Sequence, residues 1–420
     1  MTHADKVLFV SLLDDPGPDR IVAEFGRRGA RCEIAGPASS FAARTRYSQR
    51  LHRLPDLGGP AVRAFVLARR LNSFVAASAP DLIVPLDELA AGVLRDPRVV
   101  GRASAETRRL LFASLGAVEG FCAARSRRRL SALADDLGVR TPRTRALPNL
   151  AAARGAAAEF GYPLVVKREL TAGGGGILIA HDDRTLSRGW RRSQLVARAK
   201  SGLSFIEGYR GEAVAHVAQQ FISGELAFRN SACRDGVELA GVNFVAAHRD
   251  PEETGPSRYI RQTENAEMEQ TARAIIGALG MSGFVSFDFI VDREDRAHLL
   301  ELNPRATGST HLGKLFGADL IAALIGSPPF MAPVRPTSIA LFPKAVDADP
   351  FDPALFGTPG LLHDVPWEDP EIVDGYLTWL ARRRPEAARR LREFGAKELQ
   401  TFVAKPVRSL RPSFRSRRAA

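Results

Sequence analysis

Short apolar runs alternate along the chain with stretches of helical periodicity, and this alternation predicts an α/β fold. Residues 6–13 form a β-rich apolar run, which is followed by a Pro- and Gly-containing turn and a helical pattern that ends at Gly29. A second helix and strand end in Asp81–Glu88, and this strand delivers two carboxylates at its carboxyl end, where open α/β sheets bind ligands. Residues 1 to about 120 are therefore predicted to form a small parallel α/β domain.

The middle of the chain predicts a larger unit of mixed helices and strands. Apolar residues at helical spacing follow Arg127 and end at Gly138, and a second helix runs over 150–160. We predict strands at 164–167, 177–180, 214–221 and 237–246, and a helix from about Glu264 to Leu279. The last 90 residues begin with Pro-rich linkers and contain an Arg-rich helix near 385–394.

Composition narrows the class of protein. A chain of 420 residues with 45% hydrophobic content predicts two or three packed units. The net charge of +12 comes mainly from dispersed arginines, so nucleic-acid binding is not favoured. The basic segment Lys405–Arg418 is the exception, and a solvated, disordered tail is preferred there over a nucleic-acid contact.

The start of the chain and the cysteines predict a cytoplasmic protein. The first apolar run is too short to cross a membrane and has no basic leader before it. Cys32, Cys122 and Cys233 lie far apart and form no CxxC pair, so neither a disulfide framework nor a zinc site is indicated. A reducing compartment and no membrane partner are expected.

The strongest chemical signal is a hairpin over 284–303 that carries three oxygen donors. If its turn is centred between Glu294 and Asp295, Asp288 and Glu301 face each other, with Asn303 two residues further along the same face. Opposed carboxylates on apolar strands repel and are desolvated unless a cation joins them, and an all-oxygen set suits Mg²⁺. The alternative is an accidental spacing with one solvent-facing carboxylate.

A second signal is Lys167 followed by a glycine-rich loop at 171–176. The glycines Gly173, Gly174 and Gly175 allow the backbone N–H groups to approach an anion closely, while Lys167 supplies a point charge. No Gly-Lys-Ser/Thr follows, so this is not a Walker loop. A plain flexible hairpin tip is the alternative, although Lys167 is one of only seven lysines in the chain.

Both signals, in this order, resemble the ATP-grasp superfamily over the chain to about residue 325. The resemblance implies an α+β ATP-grasp fold: a parallel α/β pre-ATP-grasp domain over 1–120, an ATP-grasp domain over 121–325 with lobes of about 121–205 and 206–325, and a mostly helical extension over 326–420. It further implies ATP and Mg²⁺, or Mn²⁺, as cofactors, and it is compatible with a homodimer.

The resemblance also implies roles for individual residues in nucleotide binding. Arg127 occupies the position of a phosphate-contacting lysine, and Lys167 matches the second such lysine. The hinge that clasps adenine and ribose matches residues 219–225, where Gln219 and Ile222 would line the base and Glu225 would accept the ribose hydroxyls. An ordinary turn carboxylate is the alternative for Glu225.

At the reacting end, Asp288, Glu301 and Asn303 match the family's metal ligands. Arg305 would reach the transferring phosphoryl group or the acyl phosphate, with Lys167 beside it. These cations are needed because a carboxylate attacks a γ-phosphate, so that an anion meets an anion.

The substrate end is less specific in sequence. Arg258 and Arg261 lie in a polar stretch and would hold a substrate carboxylate, unless this stretch is a solvated loop. His311 lies in a small, hydroxyl-rich segment as a candidate substrate contact, and a capping or packing role is preferred for it.

The resulting hypothesis is an ATP-dependent ligase that joins a small-molecule carboxylate to an amine. The alternatives are another ATP-grasp reaction, such as carboxylation through carboxyphosphate or a phosphorylation that ends at the acyl phosphate, a non-catalytic ATP-binding protein, and a nucleic-acid-associated protein that uses the basic tail.

Overall fold

Three β-sheets organise the molecule. The structure, a computed structural model, describes residues 4–13, 17–117, 119–120, 126–168, 177–200, 216–249, 257–345 and 360–393. The strands are β1 Lys6–Val10, β2 Arg31–Gly36, β3 Ser48–Arg53, β4 Leu82–Pro85, β5 Thr144–Leu147, β6 Leu164–Arg168, β7 Ile177–Ala180, β8 His216–Gln220, β9 Glu225–Arg234, β10 Val237–Arg249, β11 Ser257–Thr263, β12 Gly283–Val291, β13 Ala297–Asn303, β14 Ser338–Ala340 and β15 Leu361–His363.

Helices cover the sheets and connect them. They are α1 Asp19–Arg27, α2 Phe41–Arg44, α3 Gly59–Ser78, α4 Glu88–Leu94, α5 Pro97–Arg102, α6 Ala105–Leu115, α7 Arg127–Asp136, α8 Leu150–Phe160, α9 Asp183–Lys200, α10 Ala266–Ala278, a 3₁₀ helix Thr310–Phe316, α11 Leu320–Ile325, α12 Pro370–Ala381 and α13 over 385–393. None of the helices in the described ranges is both long and apolar enough to cross a membrane.

The first sheet is parallel, as the sequence predicts for this region. Its strand order is β3-β2-β1-β4, and every pairing within it is parallel. Val7, Leu8, Phe9 and Val10 of β1 are fully buried. A strand covered on both faces needs such a continuous apolar run, which is why the pattern could be recognised in the sequence.

The second sheet is antiparallel and carries helices on one face. Its order is β5-β8-β6-β7, and α8 and α9 pack on it through a core that includes Ala153, Leu186 and Trp190. Helix α8 has the predicted bounds because Asn149 caps its start and Gly161, with a φ of 80°, follows its end.

The third sheet has seven strands in the order β13-β12-β9-β10-β11-β14-β15. Residues 257–263, which overlap the polar stretch for which a solvated loop was the alternative, form strand β11 between β10 and β14. Strand β9 was not predicted, since it carries buried polar residues such as Arg229 and Asn230 where an apolar alternation is expected. Strands β14 and β15, from the last 90 residues, extend the same sheet.

The first sheet packs closely against the third. Phe25 of α1 lies edge-on to Phe284 of β12, with ring centroids 6.2 Å apart. Buried charges cross the same contact: Glu24 accepts from Arg28 and Lys314, and Arg28 pairs with Asp319 at 2.5 Å. Burial of the Glu24 carboxyl raises its pKa, but these cations outweigh that effect and lower it to about 2. This packing brings the chain's N-terminal loops to one end of a cavity between the second and third sheets.

Candidate active site

A cavity of about 430 Å³ lies between the second and third sheets. Its lining includes Lys167, Asp288, Glu301, Asn303 and Arg305, which the sequence pointed to, and other residues that it did not. The second sheet contributes Val165, Lys167, Ile177, Ile179 and Gln219, the following hinge contributes Gln220–Ile222 and Gly224, and the third sheet contributes Leu226, Phe228, Ser286, Asp288, Ile290, Leu300, Glu301 and Asn303.

The hairpin β12–β13 brings the predicted carboxylate pair together. Asp288 pairs with Glu301 across the strands, while Phe287 and Phe289 on the other face are fully buried in the core. The prediction that the two carboxylates face each other is correct, but the predicted centre of the turn, between Glu294 and Asp295, is not. Nearer the turn, Val291 pairs with Ala297, and an unpaired residue at Leu300, a β-bulge, shifts the register by one to bring Glu301 opposite Asp288.

Asn303 completes the group of oxygen donors. Its Nδ2 donates to Asp288 Oδ2 at 3.2 Å, and its side chain is largely buried. The described residues bring no third carboxylate, histidine or cysteine to this group. Burial, with repulsion from Glu301, raises the pKa of Asp288 to about 6. Two desolvated carboxylates and one amide suit a divalent cation such as Mg²⁺ that takes its remaining ligands from phosphate or water.

Lys167 faces the carboxylates from the opposite sheet. It lies within β6, hydrogen-bonded to both β7 and β8, and its side chain is 5% exposed. Burial lowers the pKa of its ammonium to about 8, and the field of Glu301 limits that fall. Lys167, which was predicted to contact phosphate, is therefore a buried residue of the cavity lining, and its charge interacts with the carboxylate pair.

Arg127 lies behind this cluster rather than in the cavity lining. It is the first residue of α7, and it donates from Nη1 to the carbonyl of Arg168 at 2.7 Å. Its Nη2 forms an ion pair with Glu301 at 3.0 Å. In this arrangement Arg127 neutralises one of the carboxylates, whereas the resemblance implies a contact with phosphate.

Arg305 reaches the cavity from the loop after β13 and is held there by the first domain. Its Nε pairs with Glu88 Oε2 at 2.9 Å, and Glu88 is the first residue of α4. The neighbouring Asp87 accepts from the backbone N–H groups of Leu12 and Leu13, and burial raises the pKa of this carboxyl. The two carboxylates at the end of β4 thus connect the first sheet to the candidate site.

Part of the cavity lining is apolar. Ile222 and several aliphatic side chains from both sheets line it, together with Gln219. Gln219 is buried and donates from Nε2 to Thr144 Oγ1, whereas its Oε1 accepts no hydrogen bond from any described residue. A buried acceptor without a partner in an apolar slot is suited to a ligand amino group.

Three of the predicted substrate and ribose contacts lie elsewhere. Glu225 does not line the cavity; its side chain is 64% exposed and pairs with Arg261 at 3.3 Å. Arg258, also on β11, is absent from the lining, and its carbonyl accepts from Leu341. The structure therefore does not bring these three side chains into the cavity lining. Arg258 and Arg261 lie on the paired strand β11, and Glu225 is the first residue of β9.

His311 is a buried packing residue rather than a cavity residue. Its Nε2 lies 2.8 Å from Asp364 Oδ1, and it is absent from the cavity lining. This position agrees with the capping or packing role that the sequence favours for His311. The glycines Gly173, Gly174 and Gly175, together with the tail at 405–418, lie outside the described residues.

Sequence reasoning missed several residues of the site. Glu88 was recognised as a carboxylate at a strand end, but no signal connected it to Arg305 some 200 positions later. Ser286 lines the cavity two residues before Asp288, on the same face of β12, so strand alternation alone could have identified it. Lys344, from the last 90 residues, also lines the cavity.

Comparisons with known proteins point to an ATP-binding domain in the middle of the chain. Residues 126–325 match the family model described as the carbamoyl-phosphate synthase L chain, ATP binding domain. The carbamoyl phosphate synthase large chain of Ralstonia nicotianae is 28% identical over 202 residues, which cover 47% of this chain and 18% of that protein. The match thus spans about a fifth of the length of that relative.

Solved structures share the fold over most of the chain. The biotin carboxylase domain of 2-oxoglutarate carboxylase from Hydrogenobacter thermophilus superposes with a TM-score of 0.60 at 14% identity, covering 80% of this chain and 72% of that one. An L-amino acid ligase from Bacillus licheniformis gives a TM-score of 0.54 at 15% identity, covering 77% and 74%. The solved structures show a shared fold, and together with the family match over 126–325 they support the ATP-grasp superfamily for this chain.

Proposed function

We propose that this protein is an ATP-dependent carboxylate–amine ligase that works through an acyl phosphate. One observation carries the proposal: Asp288, Glu301 and Asn303 converge in a cavity that also receives Lys167 and Arg305. Two carboxylates and an amide would hold Mg²⁺, and the two cations would face the phosphate oxygens.

ATP would lie along this cavity. The base would lie in the apolar slot, with its amino group donating to Gln219 Oε1. The phosphates would then extend toward Lys167 and the carboxylate pair. Mg²⁺, or Mn²⁺, would supply charge neutralisation at the β- and γ-phosphates when bound.

The chain's residues then support two steps. A substrate carboxylate oxygen attacks the γ-phosphorus, the bond to the β,γ-bridging oxygen breaks, and ADP leaves with that electron pair. Lys167 and Arg305 neutralise the equatorial oxygens as the two anions approach each other. An amine next attacks the acyl carbon, and inorganic phosphate leaves as the amine loses a proton, so that no protein nucleophile is needed.

Acyl phosphate formation can be tested by trapping. Purified protein with Mg²⁺-ATP is incubated with single carboxylates and hydroxylamine, and both acyl hydroxamate and ADP are measured. Carboxylates labelled with ¹⁸O should transfer one labelled oxygen to phosphate when the natural amine is present. Glu301→Ala should abolish both signals, whereas Glu294→Ala, an exposed change in the turn of the same hairpin, should leave them unchanged.

The other outcomes separate the alternatives. ADP release that requires bicarbonate and yields no hydroxamate would replace the ligase with a carboxylase-type reaction, which the similar fold of a biotin carboxylase domain makes the second candidate. Mg²⁺-dependent ATP binding without turnover on any carboxylate would favour a non-catalytic nucleotide-binding protein.

A further inference from the structure

A row of polar side chains crosses the cavity face of the third sheet beside the carboxylate pair. In the strand register, Ser286 of β12 lies opposite Asn303 of β13 on one side and opposite Asn230 of β9 on the other. Residues directly opposite one another in antiparallel strands point to the same face, with Cβ atoms about 4.5–5.5 Å apart. Ser286 is therefore the immediate neighbour of Asn303, one of the three oxygen donors that the proposed function assigns to Mg²⁺.

The position of Ser286 is fixed by its strand. Its backbone is paired on both sides, with β9 and with β13. Val285 and Phe287, which precede and follow it, point to the other face and are buried in the core. The Ser286 side chain must therefore point toward the cavity, and it is part of the cavity lining.

The Ser286 hydroxyl has no hydrogen-bond partner within the described part of the chain, although the residue is only 2% exposed. Its neighbour Asn230 cannot serve it, because both ends of that amide are used. Asn230 Nδ2 donates to Ser309 Oγ at 3.0 Å, and Oδ1 accepts from Thr307 Oγ1 at 3.2 Å. A buried hydroxyl without a partner costs free energy, so this position favours a bound group that completes its hydrogen bonding.

The other neighbour, Asn303, has an unused oxygen. Its Nδ2 donates to Asp288 Oδ2 at 3.2 Å, whereas its Oδ1 forms no hydrogen bond with any residue that the structure describes. An amide oxygen is a suitable ligand for Mg²⁺. Two oxygen atoms without partners, Asn303 Oδ1 and Ser286 Oγ, are therefore carried on the same face of adjacent strands.

The coordination chemistry of Mg²⁺ explains what the second of these oxygens could do. The ion prefers octahedral coordination and keeps several waters when the protein supplies few ligands. Here the protein would supply three, from Asp288, Glu301 and Asn303. A water bound to the ion becomes more acidic and donates its hydrogens, so it needs an acceptor nearby, and a serine oxygen offers two lone pairs.

We propose that Ser286 is a positioning residue of the metal site, whose hydroxyl oxygen accepts a hydrogen bond from a water molecule bound to the divalent cation. This inference rests on the proposed function for the cation itself. Residues that hold metal-bound groups in this way raise metal affinity without touching the metal. Because serine is neutral, Ser286 would strengthen the site without adding a negative charge that repels the phosphates.

Metal affinity tests this role without turnover. Mn²⁺ is titrated into protein that is in excess over ADP, and the free ion is quantified by electron paramagnetic resonance. Ser286→Ala should weaken Mn²⁺ binding about tenfold. Ser286→Thr keeps a hydroxyl on the same strand face and should restore most of the affinity. The affinity for ADP without metal should be the same in the parent and both variants, because the proposed water is bound to the cation.

Ser257→Ala is the matched control. Ser257 also lines the cavity, but it lies on β11, which β9 and β10 separate from β12. Loss of the hydroxyl there should leave Mn²⁺ affinity unchanged. Circular dichroism and denaturant unfolding establish that each variant is folded.

The outcomes separate this inference from the proposed function. An Mn²⁺ affinity of Ser286→Ala equal to that of the parent, or an equal loss in Ser257→Ala, overturns the role of Ser286. The metal site itself still stands in that case if Glu301→Ala abolishes Mn²⁺ binding. Mn²⁺ binding that Glu301→Ala does not change overturns both, because the cation then binds away from the carboxylate pair.

Discussion

The Asp288 carboxylate should reduce the stability of the empty protein, and removing its charge should reverse this. Burial and the nearby Glu301 raise the pKa of Asp288 from 3.8 to about 6 in the folded state. The fold therefore favours the protonated acid, and at neutral pH it carries an unfavourable buried charge. Asp288→Asn keeps the shape and the contact with Asn303 but removes that charge, so we expect the variant to be more stable than the parent and inactive.

The magnitude follows from proton linkage. A folded pKa about two units above the unfolded one costs about 3 kcal/mol of unfolding free energy at about pH 7.5, where both states are ionised. The penalty declines as the pH falls through about 6 and vanishes below the unfolded pKa. At about pH 5 roughly half of it remains, so the advantage of Asp288→Asn should shrink by about half between these two conditions.

Denaturant unfolding of both proteins at the two pH values, without metal or nucleotide, measures this difference. Asp292→Asn, in the turn of the same hairpin, is the matched control of opposite sign. Burial raises the pKa of Asp292, but its hydrogen bonds with His298 and Arg296 outweigh that effect and lower it well below the usual range. Its removal should destabilise the protein at neutral pH and less so in acid. An Asp288→Asn protein that is less stable than the parent at about pH 7.5, or an advantage independent of pH, would refute the reasoning.

Three further predictions concern ligand binding and turnover. Gln219→Leu should weaken ATP binding about five- to tenfold in a fluorescent-nucleotide titration, because the unpaired Oε1 is lost, and an unchanged affinity would remove this residue from the base site. Glu225→Gln should change ATP affinity less than about twofold, since its carboxylate is exposed and pairs with Arg261; a large loss would restore the predicted ribose contact. Glu88→Gln should lower kcat by about three- to tenfold with the KM for ATP unchanged, because Arg305 loses its charged partner. Glu106→Gln, a change of an exposed residue of α6, should have no effect.

The sequence predicted the elements whose local residue pattern has a single structural cause, such as burial or a helix cap. Strand β1 is apolar because both faces are covered, and α8 begins and ends at recognisable caps. Asp288 and Glu301 were correctly paired because the carboxylates, the turn and the apolar faces all lie within 20 residues of each other.

The features that the sequence did not predict have a different cause. They depend on contacts between residues that are far apart in the sequence. Strand β11 appears polar because its Arg261 pairs with Glu225 from a strand that the sequence did not reveal. Glu88 and Arg305 meet only because the first sheet packs on the third, and no local pattern encodes that packing. Lys344 lies in a region for which the sequence predicted no site residue, and the pairing of β14 with β11 brings this region beside the third sheet.

The bulge at Leu300 places an apolar and a charged residue of strand β13 side by side in the cavity. In a regular strand, neighbours point to opposite faces, so a carboxylate in the cavity would be preceded by a residue facing the core. The extra residue breaks this alternation, and Leu300 and Glu301 both line the cavity. The apolar and the charged parts of the lining therefore meet at the peptide bond between Leu300 and Glu301. The backbone of this strand fixes the position of one relative to the other.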